Sequence, residues 1–326
     1  MTSDTTAAEI PPDAVEGSGN QSRLAFGLAV TAMASHNDSV VAISADTLDL
    51  IGLRGFHDRF PSRLIEIGIA EQNAMGVASG LATVGLRPFV CGYAPFITAR
   101  SMEQLRNDIA YANQRVVIGA AASGVSLGVA GGTHHALEDL ALMRALPNMT
   151  VIAPADAYQA WQATTATDEL SGPVYIRLGG RIEEPPVTGQ KGAFQVGEAQ
   201  FLLEGTDITI IACGCMVASA LTAAEILKGR GVSARVLNMH TIKPLDEPAI
   251  LSSASETRRI VTAEEHRVTG GLGGAVAELL SQRLPTPMRL VGMPDKFAIV
   301  GPTEKVREHY HMDADGILQA CLELME

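Results

Sequence analysis

Glu71 stands in the run EIGIAEQNAMG over residues 66–76. That places a carboxylate just inside the start of an apolar, glycine-spaced helix, behind an apolar, strand-like run. Held there in a dry pocket, it can grip one ring nitrogen of a bound heterocycle. Taken alone, the same residue is an ordinary complement to the positive end of a helix dipole, so its companions decide. Tyr93 and Phe96 follow a strand expected over 87–91. Aromatic residues make up only 4% of the chain, and the C-terminal edge of an open parallel sheet is where ligands bind. A flat heteroaromatic ring needs such a stackable surface; the plainer reading is two core aromatics. The third group is the loop GGTHH over 131–135. Its glycines permit a sharp turn and close approach to a ligand. His134 can exchange a proton with a reacting oxygen near neutral pH. Adjacent histidines do not converge on one ion and the cysteines add no ligand set, so no metal site is expected. Glu138 and Asp139 complement the dipole of the next helix or orient a histidine. Arg23 and Arg177 are candidate anion binders, with surface salt bridges as the ordinary alternative.

These groups need a scaffold with one reactive edge. The pattern predicts helices over 23–34, 71–84, 102–111, 137–146 and 156–167. Strands are expected over 39–44, 87–91, 115–121, 149–152 and 173–177. A glycine-rich loop fills 124–132. The stretch GGRIEEPPVTGQKG over 179–192 concentrates Gly and Pro without periodicity and reads as a linker. Beyond it the rhythm restarts, with strands over 207–212, 232–237, 259–263 and 288–291 and helices over 216–228 and 274–283. Alternation of strands and helices implies mainly parallel sheets covered on both faces. The expectation is two consecutive α/β domains, over 22–180 and 193–326, with a linker over 181–192 and a flexible polar leader over 1–21. Glu264, Glu265 and His266, ahead of GGLGG over 270–274, look chemical. The glycine run has neither the lysine nor the spacing of a phosphate loop, so a structural turn into a helix is expected.

The 326 residues suffice for two domains, and 47% hydrophobic content allows a sizeable core. A formal charge of -12 without a long basic run argues against nucleic acid as a partner. No apolar run is long enough to span a bilayer. Four cysteines without zinc-ligand spacing fit a reduced, cytoplasmic setting, with Cys213 and Cys215 read as buried small hydrophobes.

The pieces occur in one order: GIAEQNA, YAPF at 93–96, MEQLRND at 102–108, GGTHHALEDLALMRALPNM, VIAPAD, GPVYIRLGGR, then NMHTIKPLD and IVTAEEH followed by GGLGGAVAELL. This succession resembles the C-terminal half of transketolase over roughly residues 22–326. The resemblance implies a pyrimidine-binding domain followed by a transketolase C-terminal domain, and a thiamine diphosphate-dependent transfer of a two-carbon ketol unit. It implies Glu71 as the cofactor-activating glutamate on the pyrimidine nitrogen. Tyr93 and Phe96 would be the stacking aromatics and His134 the histidine facing cofactor and substrate. Arg23, Asp46 and Arg177 would bind substrate.

The family also needs a diphosphate domain that holds Mg2+ with Gly-Asp-Gly and a downstream Asn. No Gly-Asp-Gly occurs here, and Ala314-Asp315-Gly316 stands too near the C-terminus to precede a helix and an Asn. The chain is therefore expected to be one subunit of a split enzyme. A partner chain would carry Mg-diphosphate, in an α2β2 assembly. Ala130, Ala122 and Leu50 stand where the family has an Asp and two phosphate-binding residues, which disfavours ordinary sugar phosphates. The competing readings are the β subunit of a 2-oxo acid dehydrogenase and a non-catalytic scaffold partner.

Overall fold

The computed structural model describes residues 18–188 and 194–326. Most of the expected leader, and residues 189–192 of the expected linker, lie outside the described residues. The strands are β1 (Val40–Ser44), β2 (Leu64–Glu66), β3 (Arg87–Tyr93), β4 (Val117–Ala121), β5 (Thr150–Ile152) and β6 (Val174–Arg177) in the first half. The second half holds β7 (Gln200–Leu203), β8 (Ile208–Ala212), β9 (Ala234–Asn238), β10 (Thr241–Lys243), β11 (Ile260–Arg267) and β12 (Met288–Met293). β1 to β6 run parallel in a seven-stranded sheet ordered β10-β5-β6-β4-β3-β1-β2. The other sheet is ordered β12-β11-β8-β9-β7, parallel except at β7. The fold is thus two α/β layers with mostly parallel sheets, as expected.

Apolar pattern explains the burial. β1, β4, β8 and β9 are buried along their whole length, because helices cover both faces of a parallel sheet. On one face of the first sheet, Phe26 and Val30 of helix Ser22–Ala34 join Ala157, Ala160 and Ala163 of helix Ala157–Ala166 over Val40, Phe89 and Val117. Gly119 is required in β4: a Cβ there would meet the Phe26 ring at 2.5 Å. On the other face, Ala74, Met75 and Ala78 of helix Glu71–Thr83 pack with Ile43, Val90 and Ile118. That cluster runs on into Ile211, Leu237, Ile250 and Val276 of the second half. Tertiary contact goes further still, since β10 pairs antiparallel with β5 and completes the first sheet.

Several elements had no strong sequence signal. They include β7, β10, helix Glu247–Thr257 and the terminal helices Thr303–His309 and Ala314–Met325. The last corrects the expectation that no helix follows Ala314-Asp315-Gly316. The Asp313 carboxylate accepts from the Gly316 N–H at 2.9 Å and starts that helix. It contains no Asn, so the diphosphate motif is still not formed. Among the described residues nothing lies within 4 Å of a Cβ built at Gly76 or Gly80 of helix Glu71–Thr83. The helix expected from 102 begins earlier, as π-helical turns over Phe96–Arg100 and Leu105–Tyr111 flanking Met102–Gln104.

Candidate active site

Because β1 to β6 are parallel, their C-terminal ends share one edge, and the chain segments leaving it carry the singled-out residues. Glu71 opens helix Glu71–Thr83 beyond β2 and is only 3% exposed. Tyr93 ends β3, and Phe96 starts the π-helical turn that follows. His134 lies in the loop after β4. The three rings meet edge to face: Tyr93 to Phe96 at 6.0 Å, Tyr93 to His134 at 6.0 Å and Phe96 to His134 at 5.2 Å between centroids. These are favourable aromatic geometries, and all three residues are only half-buried. Thr133 Oγ1 shares a hydrogen bond with His134 Nδ1 at 3.0 Å. His135 turns inward, with Nε2 3.3 Å from the Gly128 carbonyl.

A residue that the motifs did not single out joins this group. Arg100 Nη1 donates to Glu71 Oε2 at 2.7 Å, and its guanidinium lies over the Phe96 ring, 4.3 Å from the centroid. Its side chain is 46% exposed against 4% for Glu71. The available signal was spacing: Arg100 follows Phe96 by four residues, which puts both on one helical face. π-helical turns of this kind are frequent at functional sites.

The two arginines expected to bind substrate are placed differently. Arg23 is buried, donates through Nε to the Gly180 carbonyl at 2.8 Å, and also bonds the Leu50 carbonyl and Gln21 Oε1. Burial, then Arg181, lowers its pKa. Arg177 forks onto Asp139 at 2.8 and 3.1 Å and also donates to the Ala136 and Glu265 carbonyls. Burial would weaken this cation, but Asp139 overrides it and the pKa rises. The cavity that Arg177 lines, with Ser123, Ser126, Glu265 and Arg307, holds about 20 Å³. That is room for roughly one water, not for a sugar phosphate. Arg177, expected to bind substrate, forms a buried tie between β6, helix Asp139–Ala145 and β11. Asp46 is exposed beyond β1 with φ +57°, and its N–H donates to Glu66 Oε1 at 2.7 Å.

Of the acids near the histidines, Asp139 holds Arg177 and the Tyr175 hydroxyl, and Glu138 holds Arg267 at 2.7 Å. Both are therefore spent away from His134. Glu264 accepts from the Leu272 and Gly273 N–H groups at 2.7 and 2.8 Å. The glycine run is thus a capped helix start, as expected. Glu265 pairs with Arg307 at 2.6 Å, and Arg307 also donates to Cys215 Sγ at 3.3 Å. Cys213 is buried, while Cys215 is half-buried, and burial pushes its thiol up to about 12. Ala122 and Leu50 are buried and Ala130 is exposed. Ala122 adopts φ +59° at the end of β4, a strained conformation for alanine, and its N–H donates to the Gly179 carbonyl at 2.9 Å. Among the described residues no helix is long and apolar enough to cross a membrane.

Comparison with known proteins identifies the family of the two domains. The family described as transketolase, pyrimidine binding domain, matches residues 19–181, and transketolase, C-terminal domain, matches 197–317. One of the subunits of apulose-4-phosphate transketolase from Phocaeicola vulgatus is 39% identical over 93% of this chain and 97% of that one. The 6-deoxy-6-sulfo-D-fructose transketolase subunit SqwH of Clostridium sp. strain MSTE9 is 41% identical over 90% and 91%. A structure described as a split gene transketolase, inactive beta4 tetramer, superposes with a TM-score of 0.86 at 41% identity, over 94% of this chain and 98% of that one. Transketolase from Leishmania mexicana shares the fold, with a TM-score of 0.78 at 21% identity over 45% of its length. The chain belongs to the transketolase family, as a β-type subunit carrying its pyrimidine-binding and C-terminal domains and acting as a transferase within a split enzyme.

Proposed function

We propose that this chain supplies the cofactor-activating half of a two-chain, thiamine diphosphate-dependent ketol transferase. A partner chain would bring the domain that holds Mg2+ and diphosphate. The observation that carries the reading is the convergence of a buried carboxylate, Glu71, with the half-buried rings of Tyr93, Phe96 and His134 on one sheet edge. The donor set fits an aminopyrimidine, because Glu71 already binds a planar N–H donor lying on Phe96. When bound, thiamine diphosphate supplies the carbanion chemistry. Glu71 would accept a hydrogen bond from the pyrimidine and hold its charge close to one ring nitrogen. Phe96 and Tyr93 would orient the ring and exclude water. His134 would exchange a proton at a substrate oxygen, with Nδ1 held by Thr133.

The division of the chain at 181–192, an α2β2 assembly and a cytoplasmic site belong to the same proposal. The substrate would be a modified, branched or differently charged relative of the common sugar phosphates. Ala122, Ala130 and Leu50 offer no polar side-chain contact. Of the two relatives compared, one is named for a phosphorylated sugar and the other for a sulfonated one. Asp46, exposed at the same edge, would contact substrate beside His134.

The test is reconstitution. The purified chain alone should show no ketol transfer and only weak thiamine diphosphate binding by calorimetry, and activity should appear when the partner chain is added. Tight stoichiometric binding by the lone chain would overturn the split reading. A requirement for a lipoyl acceptor would favour the oxo acid dehydrogenase reading.

A further inference from the structure

Arg100 makes, within this chain, the two contacts that the preceding proposal assigns to a bound ring. Its guanidinium is flat and delocalised. It lies over Phe96 at 4.3 Å and donates to Glu71 at 2.7 Å. Both contacts suit arginine better than lysine, because they use the planar fork and its weak hydration. Glu71 is nearly inaccessible, while the Arg100 side chain is about half in solvent. Only the cation can therefore leave without uncovering the core. Arg23 and Arg177, by contrast, are tied at three or more points.

Resting on the functional reading above, we propose that Arg100 is a placeholder for the cofactor's pyrimidine. It neutralises Glu71 and covers Phe96 in the cofactor-free subunit, and it must swing into solvent before the ring can dock. The physical need is clear. A buried carboxylate without a counter-ion or hydrogen-bond donor is costly, so an empty site benefits from a removable partner. The swing costs a half-exposed ion pair and a cation–π contact, each individually modest. Arg100 therefore tunes cofactor affinity without touching the reacting atoms, as a positioning residue acting through Glu71.

The experiment uses the reconstituted two-chain enzyme with thiamine diphosphate and Mg2+, read by calorimetry and by the rate of cofactor association. Arg100→Met and Arg100→Gln remove the competing cation at an exposed position, and Arg100→Lys keeps the charge without the planar fork. The expected result is a Kd about three- to tenfold tighter, with faster association, for Met and Gln, and a smaller shift for Lys. The decisive readout is coupling. In a Glu71→Gln background the ion pair is absent and only the contact over Phe96 remains, so Arg100→Met should shift the Kd clearly less than in the Glu71 background. Weaker or unaltered binding in the Glu71 background would overturn the placeholder, as would an equal shift in both backgrounds. A wild-type pair that binds no thiamine diphosphate would sink the functional reading, and the placeholder with it. Normal wild-type binding with insensitive Arg100 variants would sink the placeholder alone.

Discussion

Two carboxylate–arginine pairs in this molecule use the same chemistry for opposite ends. Asp139 and Arg177 are 0% and 4% exposed at the side chain. They join through two bonds, and the Tyr175 hydroxyl and two backbone carbonyls complete the set. Glu71 and Arg100 join through one bond, and the arginine is 46% exposed. The first pair is tied from several sides through Arg177 Nε and Nη2, while the second has one bond and a partner that can leave. The number of ties and the exposure of the arginine, rather than charge, separate the two pairs.

The largest expected effect tests the buried pair. Arg177→Met leaves Asp139 buried without its counter-ion, and urea unfolding should show a loss of about 3–5 kcal/mol. The KM for substrate in whatever folds should stay within about twofold. Intact stability with a large rise in KM would instead return Arg177 to the substrate site.

The open pair should answer in the other currency. Glu71→Gln keeps shape but removes the charge, so kcat of the reconstituted enzyme at saturating cofactor should drop by about 10²–10³. Its thermal melt should stay close to wild type. Near-normal turnover would reduce Glu71 to a helix-dipole residue and erase the contrast.

A third carboxylate sharpens the comparison. Glu184 is buried, accepts from the Ser22 N–H and hydroxyl, and is raised to about 7, first of all by burial. Asp156 adds to the shift and Arg307 opposes it. A carboxyl raised above its unfolded value binds more protons when folded. Stability from Glu184 should therefore be full below about pH 4.5 and fall as pH rises to about 7. The cost above that pH is about 3 kcal/mol. Glu184→Gln should be more stable than wild type at pH 8 and indistinguishable at pH 4. A pH-independent difference would show that Glu184 is ionised throughout.

The smallest effect concerns substrate choice. If Ala122 and Leu50 replace two neutral phosphate contacts, as proposed, phosphate binding should be weaker by about 1–3 kcal/mol, or ten- to a hundredfold. The kcat/KM for xylulose 5-phosphate with ribose 5-phosphate should then fall below about 10⁴ M⁻¹s⁻¹. A higher value would mark an ordinary transketolase in two pieces.

Residue identity and order determined much of this protein. Long apolar runs such as 208–212 and the periodic helices announced buried parallel strands with covers on both faces. Parallel strands in turn place their outgoing loops on one edge, so Glu71, Tyr93, Phe96 and His134 could be expected near one another, while the roles proposed for them came from the order of the motifs. Short or half-exposed elements were not legible. β7 alternates exposed and half-buried residues over four positions. β10 has three residues and exists because β5 offers it an edge. What only the tertiary structure decided is how each charged group is spent. Arg23, Arg177 and Arg100 look alike in sequence. Their roles depend on which carbonyls and carboxylates the folded chain brings within about 3 Å of each guanidinium, and that distance is set by packing between segments far apart in the chain.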